Sequence, residues 1–313
     1  MSSEATFAAR LRWWRQHRGL SQLSLAHRAA VSQRHVSFLE LGRTLPSREM
    51  VLRLATTLDL PLRQQNTLLH AAGLAPVWRE STLDEPALSA VNQALEHVLR
   101  QQEPYPALVV DRRWNVLREN LASQRLTSFL NGTPRRAPDP AAPVNLADVL
   151  LGPAALRPLI VNWFEVARSF VQIVQSDALA DGSEETAALL ARLLRYPDVP
   201  NPADIPRIDQ PREPILTIEF LKDSTSLKLF TVIATLGTPQ DITAQEIRIE
   251  SFFPSDSGTA RLLDGWAKKD DHSQRSSAKR KGRSALRAIY NKGGCGGPGP
   301  GEPLGSPGPV SLA

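Results

Sequence analysis

The strongest constraint on the fold is the pattern of helix start and stop residues in 20–43, where two short apolar repeats follow each other closely. Ser21 and Ser32 each stand just ahead of a repeat, and a serine there caps free backbone N–H groups at the start of a helix. Gly42 closes the second repeat, as glycine does after many helices. The pattern predicts two short helices joined by a tight turn.

Similar helix start and stop residues on both sides of this segment predict three further helices. They are expected at Phe7 to His17, Ser47 to Leu58, and Pro61 to Gly73. Pro61 suits the first helical position of the last one, because its missing N–H would have no partner there anyway. Five short helices predict a compact all-α domain, which we place at residues 1–80.

The helix that follows Ser32 has two unlike faces. At 100° per residue, Val36 and Leu39 fall on one side and form an inward stripe. Arg34 and Phe38 fall on the opposite side, and Gln33 lies at the exposed N-terminal end. Arginine can pair with guanine O6 and N7, glutamine with adenine N6 and N7, and an aromatic ring with a thymine methyl. This face therefore has the chemistry needed to read base edges.

Residues beside this face complete a candidate DNA-binding set. Gln22, at the N-terminus of the preceding helix, is placed to bind a phosphate with the free N–H groups there. His35 lies at the edge of the inward stripe, and Ser37 lies on the exposed face. The predicted DNA-binding residues are Gln22, Ser32, Gln33, Arg34, His35, Ser37, Phe38 and Arg43.

Two other features of this domain have structural interpretations. Glu40 is expected to pair with an arginine of the first helix, such as Arg12, because a carboxylate facing phosphate would repel it. Trp13 and Trp14 are adjacent and cannot both face inward. One is expected in the core, and the other is expected to meet a second domain or a partner subunit.

The matching residues in this first segment resemble the helix-turn-helix domain of phage-repressor-type (XRE, Cro/CI) transcription regulators. They are Ser21-Gln22, Leu25-Ala26, Ala29, Val31-Ser32, Val36-Ser37, Leu39-Glu40, Gly42-Arg43 and Pro46-Ser47. The resemblance implies that Gln33–Leu41 lies in the major groove of DNA and that Arg43 contacts a phosphate. Ala30 stands where that family commonly has glycine, which predicts an alanine with a positive φ angle.

Charge is unevenly distributed along the chain, whose net value is +5. Residues 1–83 carry +6, residues 84–266 carry −7, and residues 267–313 carry +6. The basic first segment suits nucleic acid, whereas the acidic middle segment does not. The last segment is rich in glycine and proline and is expected to be a disordered tail. Its basic run at 279–283 would attract DNA weakly and without specificity.

Several classes of protein are excluded by missing features. The single Cys295 rules out a disulfide framework and a Cys-rich zinc site. The chain has no P-loop, no nucleophile elbow and no His-Glu-x-x-His pair, so we expect neither an enzyme nor a metal or other cofactor. No apolar run approaches the ~18 residues of a membrane span, and the N-terminal segment lacks a signal-peptide core. We therefore expect a cytoplasmic protein that does not bind membranes.

The hydrophobic period changes beyond the helical segment. A linker helix is expected within residues 81–103, followed by a hairpin around Asp111-Arg112-Arg113 and a helix capped by Asn120. Helices are also expected at Leu146–Asp177, Glu184–Arg195 and Gly258–Trp266. Strands are expected at Ala107–Val110, Trp114–Arg118, Ile215–Leu221, Leu227–Leu236 and Glu246–Phe253. This order predicts an α+β domain at residues 104–266, a five-stranded antiparallel sheet with helices on one face.

The segment Val109–Val116, with Asn120 and Ala122 after it, resembles the opening of PAS-like sensor domains. With Pro104–Ala107 and Leu229–Ala234, the whole chain resembles the MmyB-like regulators, in which a repressor-type helix-turn-helix precedes a PAS-like ligand-binding domain. The resemblance implies a cavity for an apolar small molecule such as a fatty acid.

Candidate walls for that cavity are aromatic and polar residues of the second domain. The predicted ligand-binding residues are Tyr105, Trp114, Asn120, Trp163, Phe164, Arg168 and Phe170. Arg168 lies among apolar residues and is placed to pair with a ligand carboxylate. Each has a plainer interpretation as well: the aromatic residues as core, Arg168 as a solvated cation, and Asn120 as a helix cap.

These features favour a sequence-specific DNA-binding transcription regulator that senses an apolar small molecule and binds its operator as a homodimer. Two alternatives remain open at this stage. One is an antitoxin-like or other protein-interaction module that carries a helix-turn-helix domain. The other is a ligand carrier whose helix-turn-helix no longer binds DNA.

Overall fold

The computed structural model of the protein describes residues 6–133, 143–202 and 215–269. The described residues up to Gly265 pack as one compact unit. We call residues 6–74 the helical region and the described residues from 75 to 265 the sheet region. The tail predicted for residues 267–313, including Cys295, lies outside the described residues from position 270 onward. Residues 267–269, which were predicted to begin the tail, belong to a helix.

The helical region has the five predicted helices. They are α1 (Phe7–His17), α2 (Gln22–Arg28), α3 (Gln33–Glu40), α4 (Arg48–Thr57) and α5 (Leu62–Ala71). Ser21, Ser32 and Ser47 each accept a hydrogen bond from the backbone N–H three residues further on, so the predicted caps are confirmed. Pro61 is the N-cap of α5 and not its first helical residue, because the chain is still extended there.

One apolar core holds these helices together. Leu11, Leu25, Leu39 and Leu54 are fully buried in it, each from a different helix. Ala30 has φ 53°, which confirms the positive angle expected at the turn between α2 and α3. The predicted compact all-α domain is therefore correct, and α3 is fixed against the other helices along its inward side.

The sheet region contains five strands and several helices. The strands are β1 (Ala107–Val110), β2 (Val116–Glu119), β3 (Thr217–Lys222), β4 (Thr225–Thr235) and β5 (Arg248–Pro254). The helices are α6 (Ser89–Gln101), α7 (Leu121–Asn131), α8 (Leu146–Leu151), α9 (Trp163–Asp181), α10 (Glu184–Leu193), α11 (Ile242–Glu246) and α12 (257–269). The sheet is antiparallel in the order β2-β1-β5-β4-β3, as the predicted fold class requires.

Helices pack on both faces of this sheet, so the prediction of helices on one face is wrong. Val109 and Ile249 are paired across β1 and β5 and share a core with Leu95 and Leu99 of α6. Arg248, the neighbour of Ile249, points to the opposite face and binds Asp177 of α9. Alternate strand residues face opposite sides, so α6 and α9 lie on different faces of the sheet.

Other differences from the predicted elements have local causes. Trp114 has φ 65° and belongs to the hairpin turn, so β2 begins at Val116. The Asp111 side chain shapes this turn by accepting hydrogen bonds from the backbone N–H groups of Arg113 and Asn115. The short helix α11, capped by Asp241, was not predicted.

Among residues 6–133, 143–202 and 215–269, no helix is both long enough and apolar enough to span a membrane. Within the same residues, no cluster of three or more His, Cys, Asp and Glu side chains is placed to hold a metal ion.

Candidate functional site

The outer side of α3 presents polar residues on a rigid support. Val36 and Leu39 are fully buried, which confirms the predicted inward stripe. Gln33 and Arg34 are exposed at the N-terminal end of the helix, where the hydroxyl of Ser32 caps the backbone N–H of His35. Both long side chains therefore extend into solvent from a helix that the core holds in place.

Phe38 lies close to two arginines on this side of α3. The guanidinium carbon of Arg34 is 5.1 Å from the centre of the Phe38 ring, and that of Arg43 is 5.8 Å from it. The backbone N–H of Arg43 also donates to the carbonyl oxygen of Phe38 at 2.9 Å. Phe38 and Ser37 are half-buried, whereas both arginines are exposed.

Glu40 joins three helices through a buried ion pair. Its partner is Arg15 and not the exposed Arg12, with Nε–Oε1 and Nη2–Oε2 distances of 2.6 and 2.9 Å. The hydrogen bond to Glu40 raises the pKa of the Arg15 guanidinium. Gln22 donates its amide to Glu40 at 2.8 Å, so this predicted phosphate contact is held by the same carboxylate. The structural role expected of Glu40 is correct, but its predicted partner is not.

The predicted DNA-binding residues thus form a connected group. Five of them lie on α3, Ser32 caps it, Arg43 reaches back to it through Phe38, and Gln22 is tied to it through Glu40. Their role in binding DNA stays a prediction, since the geometry alone describes a surface and not a complex.

Two of the predicted ligand-binding residues meet in the sheet region. The ring centres of Trp114 and Phe170 are 4.6 Å apart, with the planes tilted by 57°. Trp114 is 1% exposed, and the guanidinium of Arg248 lies 5.3 Å from its ring centre. The indole N–H of Trp114 has no hydrogen-bond partner among the described residues. This contact links the hairpin turn to the middle of α9.

The other α9 candidates do not join this pair. Trp163 lies seven residues before Phe170, on the same side of the helix. It is half-buried and donates its indole N–H to the carbonyl oxygen of Leu150. Phe164 is 53% exposed, and Arg168 follows it by one helical turn. Residues four apart share a helix face, so Phe164 and Arg168 lie together on a flank away from Phe170.

Tyr105 and Asn120 are also separate from the Trp114–Phe170 contact. Tyr105 packs against Phe253, which belongs to the sheet face covered by α6. Asn120 is buried and accepts hydrogen bonds from the backbone N–H groups of Ala107 and Ser123, while its amide donates to the carbonyls of Leu99 and Tyr105. The alternative interpretation of Asn120 as a helix cap is confirmed.

The sequence interpretation missed two charged residues of β5. Arg248 binds Asp177 through its two terminal guanidinium nitrogens, at 2.6 and 2.7 Å. Burial raises the pKa of Glu250 to about 7, against smaller opposing effects of a hydrogen bond with Thr231 and the charge of Arg248. Oε2 of Glu250 has no hydrogen-bond partner among the described residues. The signal was available, because two charges at alternate positions of an apolar strand share its buried face.

The end of α9 contacts α1 directly. His17 donates from Nε2 to the carbonyl oxygen of Leu179 at 2.5 Å, and Arg18 donates to that of Ala180 at 3.1 Å. These carbonyls are among the last of the helix, which have no partner within it. Gly182 follows with φ +59°, and a Cβ atom added there would lie 2.7 Å from the Trp14 ring.

The same contact shows where each of the two tryptophans of α1 lies. Trp14 is 2% exposed and belongs to the core of the helical region. A Cβ atom on Gly182 would also lie 2.9 Å from the Trp13 ring, so Trp13 meets the sheet region as one of the two expected alternatives.

Ion pairs strengthen this contact between the regions. Arg63 of α5 binds Glu80 and Glu246, with a 2.7 Å Nε–Oε1 distance to Glu246. The hydrogen bond with Glu246 raises the pKa of Arg63 above its ordinary value. Arg112 of the hairpin turn lies 3.5 Å from Glu246 and 3.4 Å from Asp181 at the end of α9. The hairpin, α9 and α5 are therefore joined by shared charges.

Comparisons with known families agree with this division. Residues 91–264 match the family model of the MmyB-like transcription regulator ligand binding domain, and residues 11–65 match the helix-turn-helix model. Neither description is that of an enzyme. A search of curated proteins gave no match.

Proposed function

This chain belongs to the MmyB-like family of transcription regulators, and we propose that it binds a specific operator through α3 under the control of an apolar small molecule. One observation carries the proposal: the sheet region is docked on α1, the helix that holds α3 through the Arg15–Glu40 pair. A change in the sheet region therefore has a direct route to the DNA-binding surface.

The DNA side of the proposal rests on the exposed face of α3. Arg34 and Gln33 have the donors that pair with guanine and adenine in the major groove. Arg43 supplies a cation for a phosphate at the end of the same surface. We propose that two copies bind as a homodimer to half-sites about one helical turn apart, as helix-turn-helix dimers do.

The effector side rests on the contact of Trp114 with Phe170. An apolar molecule such as a fatty acid gains free energy by leaving water, and aromatic side chains provide large apolar walls for it. A molecule that inserts between the hairpin turn and α9 must move one relative to the other, because the two rings are already in contact.

Movement of α9 would be transmitted to both the sheet and α1 through contacts near its C-terminal end. Asp177 is held by Arg248 of the sheet, and Leu179 and Ala180 are held by α1 only a few residues later. An effector that favours one position of α9 thereby changes operator affinity, typically by about 1–3 kcal/mol of coupling free energy.

The test begins with the protein as purified. Native mass spectrometry with lipid extraction identifies a bound apolar molecule, and duplexes selected from a random-sequence pool supply the operator. We expect operator affinity to differ between the lipid-free and the lipid-loaded protein. Equal affinity in both forms would contradict the control by effector. Purification as a stable complex with a second protein, without lipid, would favour the protein-interaction alternative, and failure to select any duplex would favour the carrier.

A further inference from the structure

Phe38 lies close to two cations, and this arrangement indicates a more specific role than contact with a thymine. Arg34 is one helical turn before Phe38, and Arg43 comes after the turn at Gly42, which has φ +68°. The two guanidinium groups lie 5.1 and 5.8 Å from the same ring centre, within the range of cation–π attraction. One half-buried ring therefore contacts both of the cations predicted to bind DNA.

Holding these cations has a consequence for binding. A free arginine on a helix surface samples many rotamers and loses that freedom when it binds a base or a phosphate. A ring that already confines the guanidinium reduces this loss, which is how preorganisation increases affinity. Arg43 is confined further, because its backbone N–H is bound to the carbonyl oxygen of Phe38.

We propose that Phe38 is a positioning residue that holds Arg34 ready for a guanine edge and Arg43 ready for a phosphate. The inference rests on the proposed binding of DNA by α3 and specifies how that surface is prepared. It assigns sequence reading to Arg34 and removes it from Phe38.

The experiment uses the full chain and a duplex selected by the wild type from a random-sequence pool. Phe38→Leu should weaken binding to this duplex about tenfold, since it removes two cation–π contacts while it keeps an apolar side chain. Phe38→Tyr keeps the ring and should stay close to wild type. Leu121→Ala is the control, because Leu121 is a 50% exposed apolar residue at the start of α7, outside the predicted DNA-binding surface. Circular dichroism and thermal melting verify that each variant is folded.

Two readouts separate positioning from a direct contact or a merely structural role. Once Arg34→Ala is present, Phe38→Leu should cost clearly less than in the wild-type background, because the ring then holds only Arg43. Replacing each thymine of the duplex by uracil should leave the cost of Phe38→Leu unchanged.

Other results would overturn the inference. Independent effects of Phe38→Leu and Arg34→Ala would show that the ring does not act through Arg34. Loss of the Phe38 effect on the uracil duplex would show that the ring touches a thymine methyl. Failure of the wild type to select any duplex would instead overturn the proposed function, and the inference with it.

Discussion

Two buried glutamates show how differently the two regions of this molecule treat charge. Glu40, in the helical region, is bound by two guanidinium nitrogens of Arg15 and by Gln22. Glu250, in the sheet region, is equally buried but has one carboxylate oxygen without a partner among the described residues. The first arrangement fixes a surface in one geometry, as a reader of DNA needs. The second leaves a buried polar atom without a partner, and burial then favours the protonated form of the side chain.

The largest expected effect tests the helical side of this comparison. Glu40→Gln leaves the Arg15 guanidinium buried without its charge partner and should lower the free energy of unfolding by about 3–5 kcal/mol. Urea denaturation measures this loss. Glu49→Gln is the control, because Glu49 is largely exposed in its pair with Arg53 and should change stability by less than about 1 kcal/mol. Equal effects of the two substitutions would break the comparison.

The next effect tests the sheet side through pH. The pKa of Glu250 is about 7 in the folded protein against an ordinary value of 4.5, so the folded state keeps a proton that the unfolded state has released between these values. Stability from this group is complete below pH 4.5 and is lost as the pH rises through 7. The loss should be about 3 kcal/mol.

The matched variant for this measurement is Glu250→Gln, which does not titrate. Subtracting its free energy of unfolding from that of the wild type at each pH isolates the contribution of Glu250. A difference that stays constant from pH 4.5 to pH 7 would contradict the raised pKa.

A smaller effect tests how Arg34 and Arg43, on the proposed DNA-binding surface, contribute to operator binding. Arg34→Ala should weaken operator binding by about 1–3 kcal/mol and relax specificity at one base pair. Arg43→Ala should weaken all sequences alike and reduce the salt dependence by about one phosphate contact. Titrations of selected and mismatched duplexes at several salt concentrations distinguish the two. Unchanged specificity in Arg34→Ala would remove it from the base-reading role.

The smallest effect concerns the joint between the regions. Asp177→Asn removes the charge that holds α9 to Arg248 and should reduce the effector response by about 1 kcal/mol of coupling, with little change in operator affinity itself. The measurement compares operator affinity with and without the lipid recovered from the protein. Asp198→Asn is the control, because the Asp198 side chain is 76% exposed in its pair with Arg157. An undiminished response in Asp177→Asn would show that coupling takes another route.

The parts of the fold that sequence predicts well are those decided by a few neighbouring residues. Ser21 and Ser32 cap helices through bonds to residues three positions away, and Val36 and Leu39 follow from helical geometry alone. The positive φ angle of Ala30 was implied by the family resemblance, because glycine commonly stands at that position. Each of these features could be read from residues only a few positions apart in the sequence.

Features that depend on distant packing were predicted less well. The choice of Arg15 over Arg12 as the partner of Glu40 depends on the rotation of α1 about its axis, which the core decides. Trp163, Phe164 and Phe170 were predicted together because apolar residues recur there at helical spacing, but Phe164 lies on another flank of α9 than Phe170. Periodicity gives relative directions on one helix and does not say which direction meets the sheet.

Gly182 has a consequence for exchanging parts between regulators. A side chain at this position would collide with Trp13 and Trp14, and its φ angle of +59° also disfavours one. The two tryptophan rings and the glycine therefore fit closely against each other, so that a change on either side requires a change on the other. We expect a chimera that joins this sheet region to a foreign helix-turn-helix to need both tryptophans on its new first helix, because a flexible linker alone would not restore this contact.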